Sequence, residues 1–170
     1  MSMKDTPDVK PETPEIRGLG QSLPIQLLKV HDLVMAYFRP MLHRFRMTDQ
    51  QWRVLRAIAD GTTDFGDLAE ATHIQPASLS RMLVGLQDRG WTTREVSETD
   101  RRQRRVTMTE EGWALFRAAA AETEAIYADL EADLGPAHAE LLSALKSGTD
   151  SLQATSTGAE VETASEPATN

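Results

Sequence analysis

Apolar residues recur at helical spacing over most of this chain, and one pair of short alternating runs interrupts them. Leu27, Val30, Val34, Phe38 and Leu42 form the first stripe, and Ser22 followed by Pro24 marks its start. Pro40 lies inside that stripe, which predicts a kink or a break near Arg39. A second helix is predicted from Thr48, where Thr48-Asp49-Gln50-Gln51 fits a capping box ahead of Trp52, Leu55, Ile58 and Ala59, and Gly61 ends it. A short helix follows over Asp64–Ala71 with Phe65, Leu68 and Ala69 apolar. Another runs from Pro76 to about Arg89 and buries Leu79, Met82, Leu83 and Leu86. Gly90 stops it as a glycine just past a helix end does.

Trp91–Val96 and Arg104–Met108 are short and contain β-branched residues, so they read as two strands of a hairpin with a polar loop between them. Thr109-Glu110-Glu111-Gly112 opens a long helix whose apolar side is Trp113, Phe116, Ala120, Thr123, Ile126 or Tyr127, Leu130 and Leu134. Gly135-Pro136 breaks that helix, and a final one carries Leu141, Leu142, Leu145 and Leu152. The two ends differ from this body. Pro7, Pro11 and Pro14 stand among charges near the N-terminus, and the C-terminus is rich in Ala, Thr, Ser and Glu, so both read as disordered tails.

Composition narrows the chemistry. The 170 residues contain no cysteine, which removes disulfides, thiolate metal sites, cysteine nucleophiles and thiol redox sensing together. The longest apolar run, Leu33–Phe38, is far below the roughly 18 residues of a membrane span, and no signal pattern opens the chain. A soluble, cytoplasmic protein with no membrane partner is expected. His31, His43, His73 and His138 are scattered, with no i, i+4 pair for a helical zinc site, and no phosphate loop or nucleophile elbow appears. No catalytic residue, metal or cofactor is therefore expected, and a small enzyme is the weakest reading.

Charge then changes the picture. The formal net charge is -8, yet Asp100-Arg101-Arg102-Gln103-Arg104-Arg105 concentrates arginine in the hairpin loop, a local contact for a polyanion. Short helix, tight turn, second helix, glycine, then a hairpin with an arginine-rich tip is the order of a winged helix-turn-helix. An α-helix fits the major groove of DNA, and a thin loop carrying guanidinium groups fits the narrower minor groove. The helix from Pro76 would be the recognition helix, with Gln75, Ala77, Ser78, Ser80 and Arg81 where bases and phosphates approach, and Arg101, Arg102, Arg104 and Arg105 on the wing. Asp100 and Arg102 can also pair with each other to shape the loop, leaving Arg101, Arg104 and Arg105 as the DNA contacts. A winged-helix protein-interaction module without DNA binding stays open as an alternative.

From Ser22 to Leu152 the chain resembles the MarR family of bacterial transcription regulators. The segment DRRQRRVTMTEEG, Asp100–Gly112, is similar to that family's Asp-x-Arg wing and the Leu-Thr-x-x-Gly opening of its next helix, with Met108 in place of the usual Leu. SLPIQLL, MAYFRPML and TDQQWRVLR resemble the subgroup that represses homoprotocatechuate (4-hydroxyphenylacetate) catabolic operons and related aromatic-acid responders. The resemblance implies a mainly α-helical homodimer that binds a pseudo-palindromic double-stranded operator and is relieved by a small aromatic carboxylate. On that basis residues 18–47 and 109–153 form the dimerisation region, 48–108 the winged lobe, and 1–17 and 154–170 the tails. The apolar stripes of the terminal helices exceed what one small lobe can cover, which also calls for a partner.

The resemblance further implies an effector between the dimerisation helices and the winged lobe, and Ser22, Gln26, His31, Arg39 and Trp52 are its candidate contacts. Arg39 can pair with a carboxylate, Ser22 and His31 can hydrogen-bond, and Trp52 can stack on a ring. Each has a structural alternative: Ser22 as a helix N-cap, Trp52 as core, His31 as an exposed position, Arg39 as the partner of a nearby acid. Ser22 and Arg39 stand seventeen positions apart, roughly 25 Å along an uninterrupted helix. One chain cannot close both on a single small ligand, so contacts from both imply two subunits.

Overall fold

The computed structural model describes residues 17–96 and 104–163, and the side chains of 95, 96, 104 and 156–163 are outside that description. The elements are a 3₁₀ turn, Leu19–Gln21, then α1 (Leu23–Arg44), α2 (Asp49–Ala59), α3 (Phe65–Thr72), α4 (Pro76–Asp88), β1 (Thr92–Val96), β2 (Arg104–Met108), α5 (Glu110–Leu134) and α6 (Pro136–Thr163). This is a mainly α-helical winged helix-turn-helix with one small antiparallel hairpin. The chain divides into two compact units between Ala36 and Tyr37, inside α1, so α5 and α6 share a unit with the winged lobe.

Of the kink or break expected near Arg39, a break does not occur: α1 continues through Pro40 to Arg44. Phe38, Met41 and Leu42 are buried on both sides of the proline, and their packing outweighs the one helical hydrogen bond that its missing N–H removes. In the first unit, Ser22 sits at the helix entry, where its carbonyl accepts from Gln26 N at 3.0 Å. The Gln26 side-chain amide turns back to donate to the Gly20 carbonyl at 3.0 Å.

The remaining helix starts follow their local chemistry. At α2 the capping box is complete: Gln51 N donates to Thr48 Oγ1 at 3.1 Å and Thr48 N donates to Gln51 Oε1 at 3.0 Å. Asp64 caps α3 by accepting from Gly66 N at 2.7 Å, one residue earlier in role than a helix over Asp64–Ala71 supposes. His73 closes α3 in the left-handed region at φ 50°, and Gly90 does the same beyond α4 at φ 71°.

The core gathers Trp52, Val54, Leu55 and Ile58 of α2 with Leu68, Leu79, Leu83 and Leu86 of the helix-turn-helix, and Val106 and Met108 of β2. Val54 falls outside the predicted stripe but is fully buried. Phe65 and Ala69 are only half-buried, and Ala119 rather than Ala120 is the buried alanine of α5.

In the hairpin Thr92 pairs with Met108 and Val96 with Arg104. The outer edge of β2 is also taken, because Val106 N donates to the Thr63 carbonyl at 2.8 Å. That bond anchors the wing to the loop before α3. α6 begins at Pro136 as expected and runs on to Thr163, past the tail boundary at 153.

Candidate functional site

The turn before α4 is built to present that helix. Ile74 is buried at 4% exposure and pins the turn, while Gln75 takes the N-cap position without spending its side chain on the cap. Gln75, Ala77, Ser80 and Arg81 are exposed and Ser78 is half-buried, with Arg81 Nη2 reaching Ser78 Oγ at 3.4 Å. All five predicted residues therefore lie at or in the N-terminal half of this helix, four of them exposed. Arg94 of β1 donates to the Ser80 carbonyl at 3.0 Å, a tie between wing and helix that sequence spacing did not expose.

On the wing, Arg105 is exposed and stands opposite Glu95 in the ladder. Arg104 starts β2. Arg101 and Arg102, with the proposed Asp100–Arg102 pair, lie outside the described residues. The base of the wing is closely tied. Thr109 Oγ1 donates to the Gly90 carbonyl at 2.5 Å and accepts from Gly112 N at 3.0 Å, while Thr109 N donates to the Trp91 carbonyl at 3.1 Å. The Arg89 guanidinium lies 3.5 Å above the Trp91 ring and donates to the Arg46 carbonyl at 2.8 Å. Burial first, and the nearby Arg46 charge second, lower the Arg89 pKa from its ordinary value.

The predicted effector contacts divide between the two units. In the first, Ser22 and Gln26 are half-buried, and His31 is exposed with Nδ1 3.7 Å from the Asp32 carboxylate. In the second, Arg39 is exposed and Trp52 is buried. Trp52 stacks on Phe116 with centroids 5.3 Å apart and planes at 29°, and Trp113 meets Phe116 edge-on at 5.8 Å. The indole Nε1 of Trp52 is buried with no hydrogen-bond partner among the described residues.

One turn beyond Trp52 on α2, Arg56 Nη1 donates to Tyr127 Oη at 3.2 Å, and Tyr127 packs edge-on against Phe38 at 5.3 Å. Arg56 was missed by sequence reasoning, and Tyr127 was read only as part of an apolar stripe. The available signal was the i, i+4 step from Trp52 to Arg56, which puts a donor and a cation on one helix face. Trp52 thus meets α5 at Phe116 and Arg56 meets it further along at Tyr127, where a guanidinium beside a phenol has the chemistry to pair with a carboxylate. Around them, Tyr37 donates to Asp133 at 2.6 Å and Arg44 pairs with Glu122, joining the end of α1 to α5. The Asp133 hydrogen bond is the main reason the Tyr37 pKa is raised. Among the described residues no group of three His, Asp or Glu could hold a metal ion, and no helix is long and apolar enough to cross a membrane.

A sequence-family model described as the MarR family matches residues 47–103, from the turn before α2 into the wing. The chain is 36% identical over 115 residues to the homoprotocatechuate degradative operon repressor of Escherichia coli, covering 67% of this chain and 78% of that protein. It is equally 36% identical over 115 residues to the HTH-type transcriptional regulator FarR of Neisseria gonorrhoeae, covering 67% of this chain and 79% of FarR. Among solved structures, NadR in complex with 4-hydroxyphenylacetate is similar at a TM-score of 0.67 and 32% identity, covering 79% of this chain and 96% of that one.

Proposed function

Because the chain belongs to the MarR family of transcription regulators, we propose that it is a homodimeric repressor of an aromatic-acid catabolic operon, released from its operator by a small aromatic carboxylate. The observation that carries the effector half is the buried Trp52 indole N–H, without a partner among the described residues and one helical turn from Arg56, on a chain 32% identical to a protein solved with 4-hydroxyphenylacetate. A chain without cysteine has no thiol to modify, so the signal is read by non-covalent binding.

In this reading Gln75, Ala77, Ser78, Ser80 and Arg81 meet the major groove, and Arg101, Arg102, Arg104 and Arg105 reach the minor groove or its phosphates. The dimer is supported by exposed apolar side chains on the terminal helices: Leu23, Leu27, Leu28 and Leu33 on α1, and Leu142, Leu145 and Leu152 on α6. The effector is held by Arg39, Trp52, Arg56 and Tyr127 of one subunit, with Ser22, Gln26 and His31 of the partner subunit. Seventeen helical positions, about 25 Å of rise, keep Ser22 and Arg39 of one chain from gripping one small molecule together. An effector that fits the DNA-free spacing of the two recognition helices better than the DNA-bound one shifts the dimer away from DNA.

The test is a thermal-shift screen of the full chain against aromatic carboxylates, 4-hydroxyphenylacetate first, followed by gel shift of operator duplex with and without each hit. A specific effector at a hundred times its Kd stabilises the fold by about 2.7 kcal/mol and should release the duplex. Hits that leave the DNA complex intact would refute effector-controlled repression. Absent DNA binding at low salt, together with a stable protein partner, would favour an interaction module.

A further inference from the structure

α4 carries two neighbouring residues that its packing against the described residues does not explain. Val84 is 47% exposed in the middle of the helix, whose buried side is Leu79, Leu83 and Leu86. Beside it, Gly85 occupies a helix interior, where glycine is the least favoured residue after proline. A Cβ added at Gly85 would meet nothing within 4 Å among the described residues, so none of them requires its absence. A single exposed valine needs no explanation by itself. This one falls in line with Ala77 and Arg81 at three- and four-residue steps, on the open face of the helix, next to a glycine whose effect is to lower that surface.

We propose that Val84 is a specificity-determining residue that reads a thymine, its methyl groups packing on the C5-methyl in the major groove while Gly85 lets the duplex come that near. The inference rests on the DNA-binding reading above. The thymine methyl is the one apolar group on the major-groove edges of the bases, and a side chain with no donor or acceptor discriminates there by burial alone. Gln75, Ser78, Ser80 and Arg81 offer hydrogen bonds and Ala77 a single methyl, and Val84 adds a larger apolar contact one to two turns further along. Ala77 to Val84 spans about 10 Å of helix, the length of three base-pair steps. One turn further Asp88 is exposed, and its carboxylate is repelled by phosphate, so the contact with DNA ends at Val84.

The full-length protein is used to enrich duplexes from a pool with a randomised centre, and each thymine of the enriched site is then replaced by deoxyuridine, which removes only the C5-methyl. One thymine per half-site should show a loss of about fourfold for the wild type, the ratio one buried methyl-sized group is worth. Val84→Ala should bind the thymine and deoxyuridine duplexes alike. Val84 is exposed, so this variant should melt with the wild type, and melting is measured alongside. An enriched site with no methyl-dependent thymine, or the same penalty persisting in Val84→Ala, would overturn the proposal. If the wild type enriches no duplex at all, the DNA-binding reading has failed first and takes this inference with it, an outcome the selection step reports separately.

Discussion

Gly112, the third residue of α5, lies against the backbone of Trp91: a Cβ placed on it would stand 2.0 Å from the Trp91 carbonyl oxygen. That same carbonyl accepts from Thr109 N at 3.1 Å, and Thr109 caps α5 through Gly112 N. The entry to the wing and the start of the long helix are thus joined backbone to backbone. This is the physical content of the Thr-x-x-Gly spacing in the sequence. Threonine supplies the cap and the bond to Gly90, and glycine supplies the room.

Gly112→Ala should therefore destabilise the fold severely. The atom struck is a backbone carbonyl already held by Thr109, so it has no side-chain freedom to move aside. Overpacking of this kind costs about 1–3 kcal/mol or more, a fall of roughly 2–12 °C in melting temperature for a chain of this size. A variant that melts within a degree of the wild type would show that the backbone relaxes freely around the added methyl.

How much of this could be read from the chain depends on whether the determinant is local. The Thr48–Gln51 box, the Gly90 stop and the paired strands ending at Val96 and beginning at Arg104 are written in neighbouring residues, and the structure repeats them almost residue for residue. Pro40 misled because the local rule for proline says nothing of Phe38, Met41 and Leu42 packing around it. The Arg56–Tyr127 contact was invisible for a plainer reason: the two lie 71 positions apart on α2 and α5, and only packing of those helices brings them together. Arg94 is a similar case, since its reach to Ser80 depends on how β1 leaves the end of α4.

Arg105 is exposed on β2, and of Arg101, Arg102, Arg104 and Arg105 it is the one whose side chain is described. If it meets phosphate, Arg105→Ala should weaken binding to all duplexes alike rather than change the preferred sequence. The slope of log affinity against log salt should fall by about 1 for each phosphate no longer neutralised, and so by about 2 for a dimer. Loss of preference at one base pair, with the salt slope unchanged, would assign Arg105 to base reading instead.

Tyr37 gives a pH dependence with a definite sign. Its hydrogen bond to Asp133 holds the phenol protonated and raises its pKa above the ordinary value. A group whose pKa is raised on folding contributes stability that is fully present below the unfolded value, about 10 for tyrosine, and is lost as pH climbs through the folded value. Melting temperature should thus fall more steeply above pH 10 in the wild type than in Tyr37→Phe. Parallel curves from pH 8 to 11 would show that the bond does not persist in solution.

Gly85→Ala should stabilise the free protein. The added methyl enters open space, and alanine is favoured over glycine in a helix interior by about 0.8–1 kcal/mol. A rise of roughly 2–4 °C in melting temperature is expected. A fall would mean that an unseen neighbour, such as a second subunit, already fills that space.

Trp52, buried in the core, and Arg56, exposed one turn further along α2, allow the proposed effector contacts to be tested separately from packing. Trp52 is buried and stacked on Phe116, so replacing it with a small residue would simply open a cavity. Trp52→Phe keeps an aromatic ring on Phe116 and removes the Nε1–H, which has no partner among the described residues. Deleting a buried unsatisfied donor recovers part of the loss from the smaller ring, so stability should change by no more than about 1 kcal/mol. If the donor is kept for an effector, affinity for 4-hydroxyphenylacetate should drop by about 2- to 12-fold, the worth of one neutral hydrogen bond. Arg56→Gln removes the charge and keeps a donor near Tyr127 Oη. A charge-assisted bond to a carboxylate is worth about 1.5–3 kcal/mol, so the loss should be larger, roughly 10- to 150-fold. The order of the two losses is the informative part. Titration calorimetry that finds wild-type affinity in both variants would move the effector away from this helix face, and a larger loss at Trp52 than at Arg56 would mean that the carboxylate is held elsewhere, with Arg39 next to be tested.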